Sequence, residues 1–314
     1  MCQALGTHIL ENLFFLIGGL ALLLAGGETL VRGAVGLSRR LGLSKALIGV
    51  TIMGFGTSMP ELVTSIEATL SDAPGIAIGN VLGSNTANIL LILGLAAIVR
   101  PLSASRALRG DLVVMLAATV LGGLLLLRGT LGSLEAIILL AGFMGFVISA
   151  VWRGRAQDEV DDEAPPSGSV APLVYSLMGL GMVLLGAKLT VSGGIGVANG
   201  LGVPPSIIGL SVIAVGTSLP ELAASVAAAR KGHGDLALGN ILGSNIFNLL
   251  AILGISAAAR PLQVPDRFLS LDLWITIGSA FLLLILPALG WRMPRIAGLI
   301  FVFLYVGYVS TMGG

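Results

Sequence analysis

GVTIMGFGTSMPEL (residues 49–62) and GLSVIAVGTSLPEL (residues 209–222) are two versions of one segment, 160 residues apart. A second segment follows each at the same offset: GNVLGSNTANILLILG (79–94) and GNILGSNIFNLLAILG (239–254). The first pair shares 7 of 14 positions and the second 11 of 16, so the two halves of the chain repeat each other. The shared residues are mostly Gly, Pro, Ser, Thr, Asn and Glu, set inside apolar runs. Two copies that drift apart yet keep their polar residues in an apolar background keep a site rather than a core.

Composition fixes the class. The chain is 55% hydrophobic and 11% charged, with mean hydropathy +1.01. Soluble domains carry about 25% charged residues, so this is a polytopic membrane protein. Its apolar runs have helix length and do not alternate, which makes it all-α rather than a barrel. A net charge of +1 implies no nucleic-acid partner. Cys2 is the only cysteine, which rules out a disulfide and a thiolate metal site. The first apolar run lacks a basic start and a small-residue cleavage site, and it outlasts a signal peptide. It reads as a retained helix.

Ten stretches suit a bilayer core of about 30 Å: 12–33, 46–70, 74–99, 110–128, 133–152, 172–193, 205–229, 235–259, 270–288 and 294–312. Five fall in each half. An odd number per half makes the second half enter from the opposite side, so the expected fold is ten transmembrane helices in two inverted-topology five-helix repeats. The halves are residues 1–152 and 172–314, with a linker at 153–171. With both termini outside, 13 of the 17 Lys and Arg lie in inside loops, a positive-inside pattern that makes the 153–171 loop cytoplasmic. The expected location is the cell membrane. The linker's acidic cluster (Asp158, Glu159, Asp161, Asp162, Glu163) lacks the glycine and spacing of an EF-hand loop and reads as solvated.

The first motif, GTSxPE, places Glu61 and Glu221 near mid-span. Gly and Pro interrupt the helix and free backbone groups there. Ser58 to Glu61 and Ser218 to Glu221 also fit the S-x-x-E capping box. A cap alone does not explain the acid, since a charge at mid-membrane costs about 2.5–3.5 kcal/mol or more and Gln would cap without it. Two such carboxylates at symmetric positions point to a cation between them. In the second motif, Asn80, Ser84 and Asn88 share one helix face, as do Asn240, Ser244 and Asn248. Asn80, Asn85, Asn240 and Asn245 serve equally as interhelical glue, while the Gly79/Gly83 and Gly239/Gly243 pairs allow close packing. Ser84, Asn88, Ser244 and Asn248 are the better ligand candidates. The donor set is all oxygen, which suits calcium, sodium, magnesium or manganese.

The paired GTSxPE and GNxxGSN motifs, one per half, resemble the alpha repeats of the sodium/calcium exchanger family within the cation/calcium antiporter superfamily. That resemblance implies antiport of Ca2+ against Na+, in a compact prokaryotic type of exchanger without the long regulatory domains of animal relatives. It implies that runs 2, 3, 7 and 8 form the core and that runs 1 and 6 slide across it. By motif position, Glu61 and Glu221 are the central calcium ligands. Thr57, Thr217, Ser58, Ser218, Ser84 and Ser244 serve sodium, and Gly54 and Ala214 offer carbonyls. Some family members carry Asp where this chain has Asn248, opposite Asn88. In potassium-dependent relatives that Asp is tied to potassium transport, so Asn248 argues against potassium coupling. Other readings stay open: a proton-driven Ca2+ or Mn2+ antiporter, since paired carboxylates also carry protons, and more distantly a cation channel. An enzyme is not expected, because no Ser in a span has a His or Asp partner. No cofactor or obligate protein partner is implied. The partners are Ca2+, Na+, the proton in the alternative reading, and the bilayer.

Overall fold

Inside lipid a chain segment must satisfy its own N–H and C=O groups, so each described apolar run closes as helix. The computed structural model describes residues 2–155, 170–200 and 216–311. Its helices are α1 (Cys2–Leu41), α2 (Lys45–Thr57), α3 (Met59–Leu70), α4 (Pro74–Val99), α5 (Arg106–Leu126) and α6 (Ser133–Arg155). After the linker come α7 (Ala171–Gly200), α8 (Leu219–Arg230), α9 (Gly234–Ala259), α10 (Phe268–Ala288) and α11 (Arg295–Ser310). Among the described residues four two-residue strands pair antiparallel in the connecting loops: β1 (Leu102–Ser103) with β4 (Arg292–Met293), and β2 (Thr130–Leu131) with β3 (Leu262–Gln263).

Among the described residues seven helices are long and apolar enough to cross a membrane, and α2 with α3 makes an eighth if that pair, bent by 43°, counts as one span. The expected run at 46–70 is thus broken at Ser58. The start of the 205–229 run lies outside the described residues, as does most of the 153–171 linker. α8 and α11 are shorter, at 12 and 16 residues. α1 differs from expectation in length. It continues as one helix through Arg32, Arg39 and Arg40 to Leu41, because no Gly-Pro break or cap interrupts it before Gly42, whose φ of +63° ends it.

Burial sorts the helices. In their most apolar stretches 89% of α9 and 78% of α4 is buried, against 33% for α1 and 28% for α6, so α4 and α9 are the centre. The outer helices present Phe14, Trp152 and Phe303 at more than 70% exposure, an apolar belt fit for lipid. α1 and α7 pack on each other along a glycine seam. Gly19, Gly26 and Gly33 of α1 and Gly179, Gly186 and Gly193 of α7 recur every seven residues and sit against the other helix's backbone. Such contact replaces side-chain interdigitation with close backbone approach.

The 160-residue offset reappears in the contacts. The turn after α3 and the turn after α8 both place one residue in the left-handed region, Asp72 (φ 60°) and Gly232 (φ 80°). Arg260 forms an ion pair with Asp72 at 3.4 Å, and its equivalent Arg100 donates to the Arg230 carbonyl at 2.9 Å. Each arginine therefore fastens its half to the other.

The closest packing at the centre is between α9 and α2. A methyl at Gly239 would lie 2.9 Å from the Ala46 carbonyl oxygen, and one at Gly243 would collide with the Val50 carbonyl. Backbone cannot step aside as a flexible side chain can. Gly243→Ala is therefore expected to destabilise the protein by about 1–3 kcal/mol or more, seen as a lower unfolding temperature in detergent. An unchanged unfolding temperature would show that this contact relaxes freely.

Candidate ion-binding site

The site is built where the break between α2 and α3 and the start of α8 meet α4 and α9. α2 stops at Thr57, Ser58 leaves the helical region (φ −84°, ψ 10°), and α3 restarts with Pro60 in its first turn and Glu61 behind it. Ser218 (φ −89°, ψ 7°), Pro220 and Glu221 repeat this at the start of α8. The capping box does not form, since neither serine side chain bonds the amides of its own helix. Ser58 instead donates across the halves to Glu221 Oε1 at 2.7 Å, and Ser218 donates to Glu61 Oε1 at 3.3 Å. The serines position the opposite half's carboxylate.

α4 and α9 supply the other donors. Ser84 reaches Glu61 Oε1 at 3.5 Å, and Ser244 reaches Glu221 Oε1 at 3.3 Å and the Gly54 carbonyl at 3.0 Å. Thr57 donates to the Met53 carbonyl at 3.0 Å and approaches Asn240 Oδ1 at 3.3 Å. Asn80 and Asn240 act as glue. Asn80 Nδ2 donates to the Glu61 carbonyl and to Ser65, and Asn240 Nδ2 does the same to the Glu221 carbonyl and Ser225. These bonds fix the backbone turn that carries each carboxylate. A π-helical turn begins at Asn88 (Asn88–Leu93) and at Phe247 (Phe247–Ile252). Its wider winding re-aims side chains at the same place in both halves, as such turns do at functional positions.

Glu61, Glu221, Asn88 and Asn248 are all fully buried. One oxygen of each has no hydrogen-bond partner in the protein: Glu61 Oε2, Glu221 Oε2, Asn88 Oδ1 and Asn248 Oδ1, joined by Thr217 Oγ1. Buried acceptors are costly unless something pairs with them. Buried acceptors of this kind, with two carboxylates among them, are what a desolvated cation takes. Phe55 stacks on Phe247 at 5.0 Å, and Phe143 of α6 packs edge-on to Phe247 at 5.6 Å, an apolar cluster built around the chain neighbours of Gly54 and Asn248.

Of the residues singled out in the sequence, Thr57, Ser58, Glu61, Ser84, Ser218, Glu221, Ser244 and the Gly54 carbonyl share one hydrogen-bonded cluster, with Thr217 just before α8, while Asn88 and Asn248 follow Ser84 and Ser244 by four residues and bond Asn245 and Asn85. Ala214 lies outside the described residues. Glu67 is exposed on α3, away from this cluster. Glu28 lies 3.9 Å from Arg230, and Lys188 is exposed. Sequence reasoning missed Ser65 and Ser225, although PELVTS and PELAAS show them at equivalent positions four residues past each Glu. It also missed Met115 and the phenylalanine cluster, which have no signature in the repeats.

The chain matches the sodium/calcium exchanger protein family over residues 11–152 and 171–313. It is 35% identical over 306 residues to the putative antiporter CaxA of Alkalimonas amylolytica, covering 94% of this chain and 96% of that one. It is 33% identical over 346 residues to the sodium/calcium exchanger MaX1 of Methanosarcina acetivorans, covering 97% and 99%. Its fold superposes on a solved structure of the sodium-calcium exchanger NCX_Mj soaked with Na+ and Sr2+, with a TM-score of 0.85 at 32% identity over 96% of this chain and 98% of that one.

Proposed function

Since the chain belongs to the sodium/calcium exchanger family, whose members are multi-pass membrane antiporters, we propose that it exchanges Ca2+ for Na+ by alternating access. The observation that carries this reading is the oxygen set: two buried carboxylates and two buried amides, each with one oxygen free of protein partners. In this reading Glu61 and Glu221 balance the two charges of calcium, and Asn88 and Asn248 complete the central shell. Sodium, with one charge, uses the hydroxyls of Thr57, Ser58, Ser84, Thr217, Ser218 and Ser244 and the carbonyls of Gly54 and Ala214. The serine hydroxyls assigned to sodium bond the same carboxylates that would hold calcium, so the site takes one divalent ion or several monovalent ions, never both at once, and that exclusion is what makes transport an exchange.

The proposal includes ten spans in two inverted repeats, 1–152 and 172–314, joined by a cytoplasmic 153–171 linker, in the cell membrane with both termini outside. The reciprocal bonds Ser58–Glu221 and Ser218–Glu61 support the repeat, because a two-fold arrangement requires each to imply the other. The α1–α7 pair is the moving part. Its glycine seam ties the two helices to each other, so they shift as a unit. The protein works as a carrier with no cofactor and no enzymatic step.

With only two carboxylates at the site, calcium alone neutralises it, and a further potassium ion would sit uncompensated in a medium where unpaired charge is costly. Calcium-45 bound to the purified protein should therefore be displaced by sodium and unaffected by potassium at equal ionic strength. A potassium requirement for binding would overturn the assignment at Asn248, and no displacement by sodium would overturn the exchange reading.

A further inference from the structure

An asparagine presents either an oxygen or an NH2 group to its surroundings, and only the oxygen binds a cation. Which end of Asn88 and Asn248 faces the site is set by what holds the other end. Asn88 Nδ2 donates to Asn245 Oδ1 at 3.0 Å, and Asn248 Nδ2 donates to Asn85 Oδ1 at 3.1 Å. These two holders are themselves held differently. Asn85 Nδ2 donates to the Asn245 backbone carbonyl at 3.4 Å, an acceptor that cannot rotate away. Asn245 Nδ2 donates to Met115 Sδ at 3.7 Å, across from α5. Met115 is fully buried, and its thioether accepts but never donates. If Asn245 turned over, its oxygen would face the sulfur and its NH2 would face that of Asn88. Asn88 would then have to turn its own NH2 towards the cation.

We propose that Met115 is a positioning residue for the ion site: its sulfur fixes the Asn245 amide, and through it aims Asn88 Oδ1 at calcium. The proposal rests on the reading of Asn88 as a calcium ligand. A buried methionine is more often a gap filler, and filler tolerates exchange for leucine. The two roles separate in calcium binding. Met115→Leu keeps the volume and removes the acceptor, and losing a neutral hydrogen bond corresponds to roughly a three- to tenfold change in an equilibrium.

The test is calcium-45 equilibrium binding to purified protein, with unfolding temperatures measured alongside. Met115→Leu is expected to raise the half-saturating calcium concentration about three- to tenfold while the unfolding temperature in calcium-free buffer stays near the wild-type value. Asn88→Asp puts two equivalent oxygens at the ligand position, so its orientation no longer matters. Adding Met115→Leu to Asn88→Asp should therefore cost no further affinity. A filler role would leave half-saturation unchanged in both backgrounds, or lower affinity by the same factor in both, and either result overturns the proposal. Asn88→Ala keeps the two questions apart. If it leaves calcium binding unchanged, the ligand reading of Asn88 fails. If it weakens binding while Met115→Leu does not, the site stands and the role of Met115 fails.

Discussion

Glu61→Gln and Glu221→Gln are each expected to abolish calcium exchange in a protein that still folds and inserts. Gln keeps the shape of Glu, and no helix cap is at stake, because Ser58 and Ser218 bond across the halves and not to their own helices. What changes is charge. Both carboxylates are fully buried, so water cannot replace a missing negative charge beside a divalent ion. An uncompensated buried charge costs several kcal/mol, which corresponds to a loss of affinity of about a hundredfold or more. Calcium-45 uptake into proteoliposomes reads the loss, and the unfolding temperature in detergent reports the fold. Removing a buried charge also relieves desolvation, so the calcium-free mutant should be no less stable than the parent. Near-normal exchange by either mutant would remove its glutamate from the site.

Much of this site was legible before any coordinates. Symmetric acids in an apolar background have few uses, and the repeat marked Glu61, Glu221, Ser84, Asn88 and their partners directly. The repeat also carried a pair whose meaning it could not give. Ser58 and Glu61 fit a local capping box and a cross-half ligand pair equally well, because sequence spacing does not encode which half a hydroxyl reaches. Only the fold separates them. Met115 and Phe143 were invisible for another reason. They act from α5 and α6, outside the repeated motifs, as single apolar residues in apolar helices. The glycine seam between α1 and α7 was readable in principle as a seven-residue period, but it competed with the 45 glycines spread through the chain. The length of α1 was not legible because its apolar run ends at Arg32 and Gly33, whereas the helix continues through Arg39 and Arg40 to Leu41 without interruption.

Acid is expected to inhibit calcium uptake by competition. A proton on Glu61 or Glu221 removes a charge that calcium needs, so lowering the pH should raise the calcium concentration required for half-maximal transport. Binding that displaces one proton changes apparent affinity by up to about tenfold per pH unit, and displacing two changes it more steeply. The maximal rate at saturating calcium should be little altered, because the ion expels the proton it competes with. The sign is fixed by the chemistry of the ligands: calcium binds the deprotonated form, so affinity rises with pH until both carboxylates are ionised. Uptake at two pH values over a range of calcium concentrations reads this. Inhibition that excess calcium does not relieve would place the responsible group away from the site.

In the proposed exchange a sodium gradient, not a proton gradient, drives calcium across this protein. Proteoliposomes loaded with sodium and diluted into sodium-free medium containing calcium-45 should accumulate calcium. Identical vesicles without sodium, given only an acid interior, should not. Uptake under the pH gradient alone, with none under the sodium gradient, would contradict the account and make this a proton-driven antiporter.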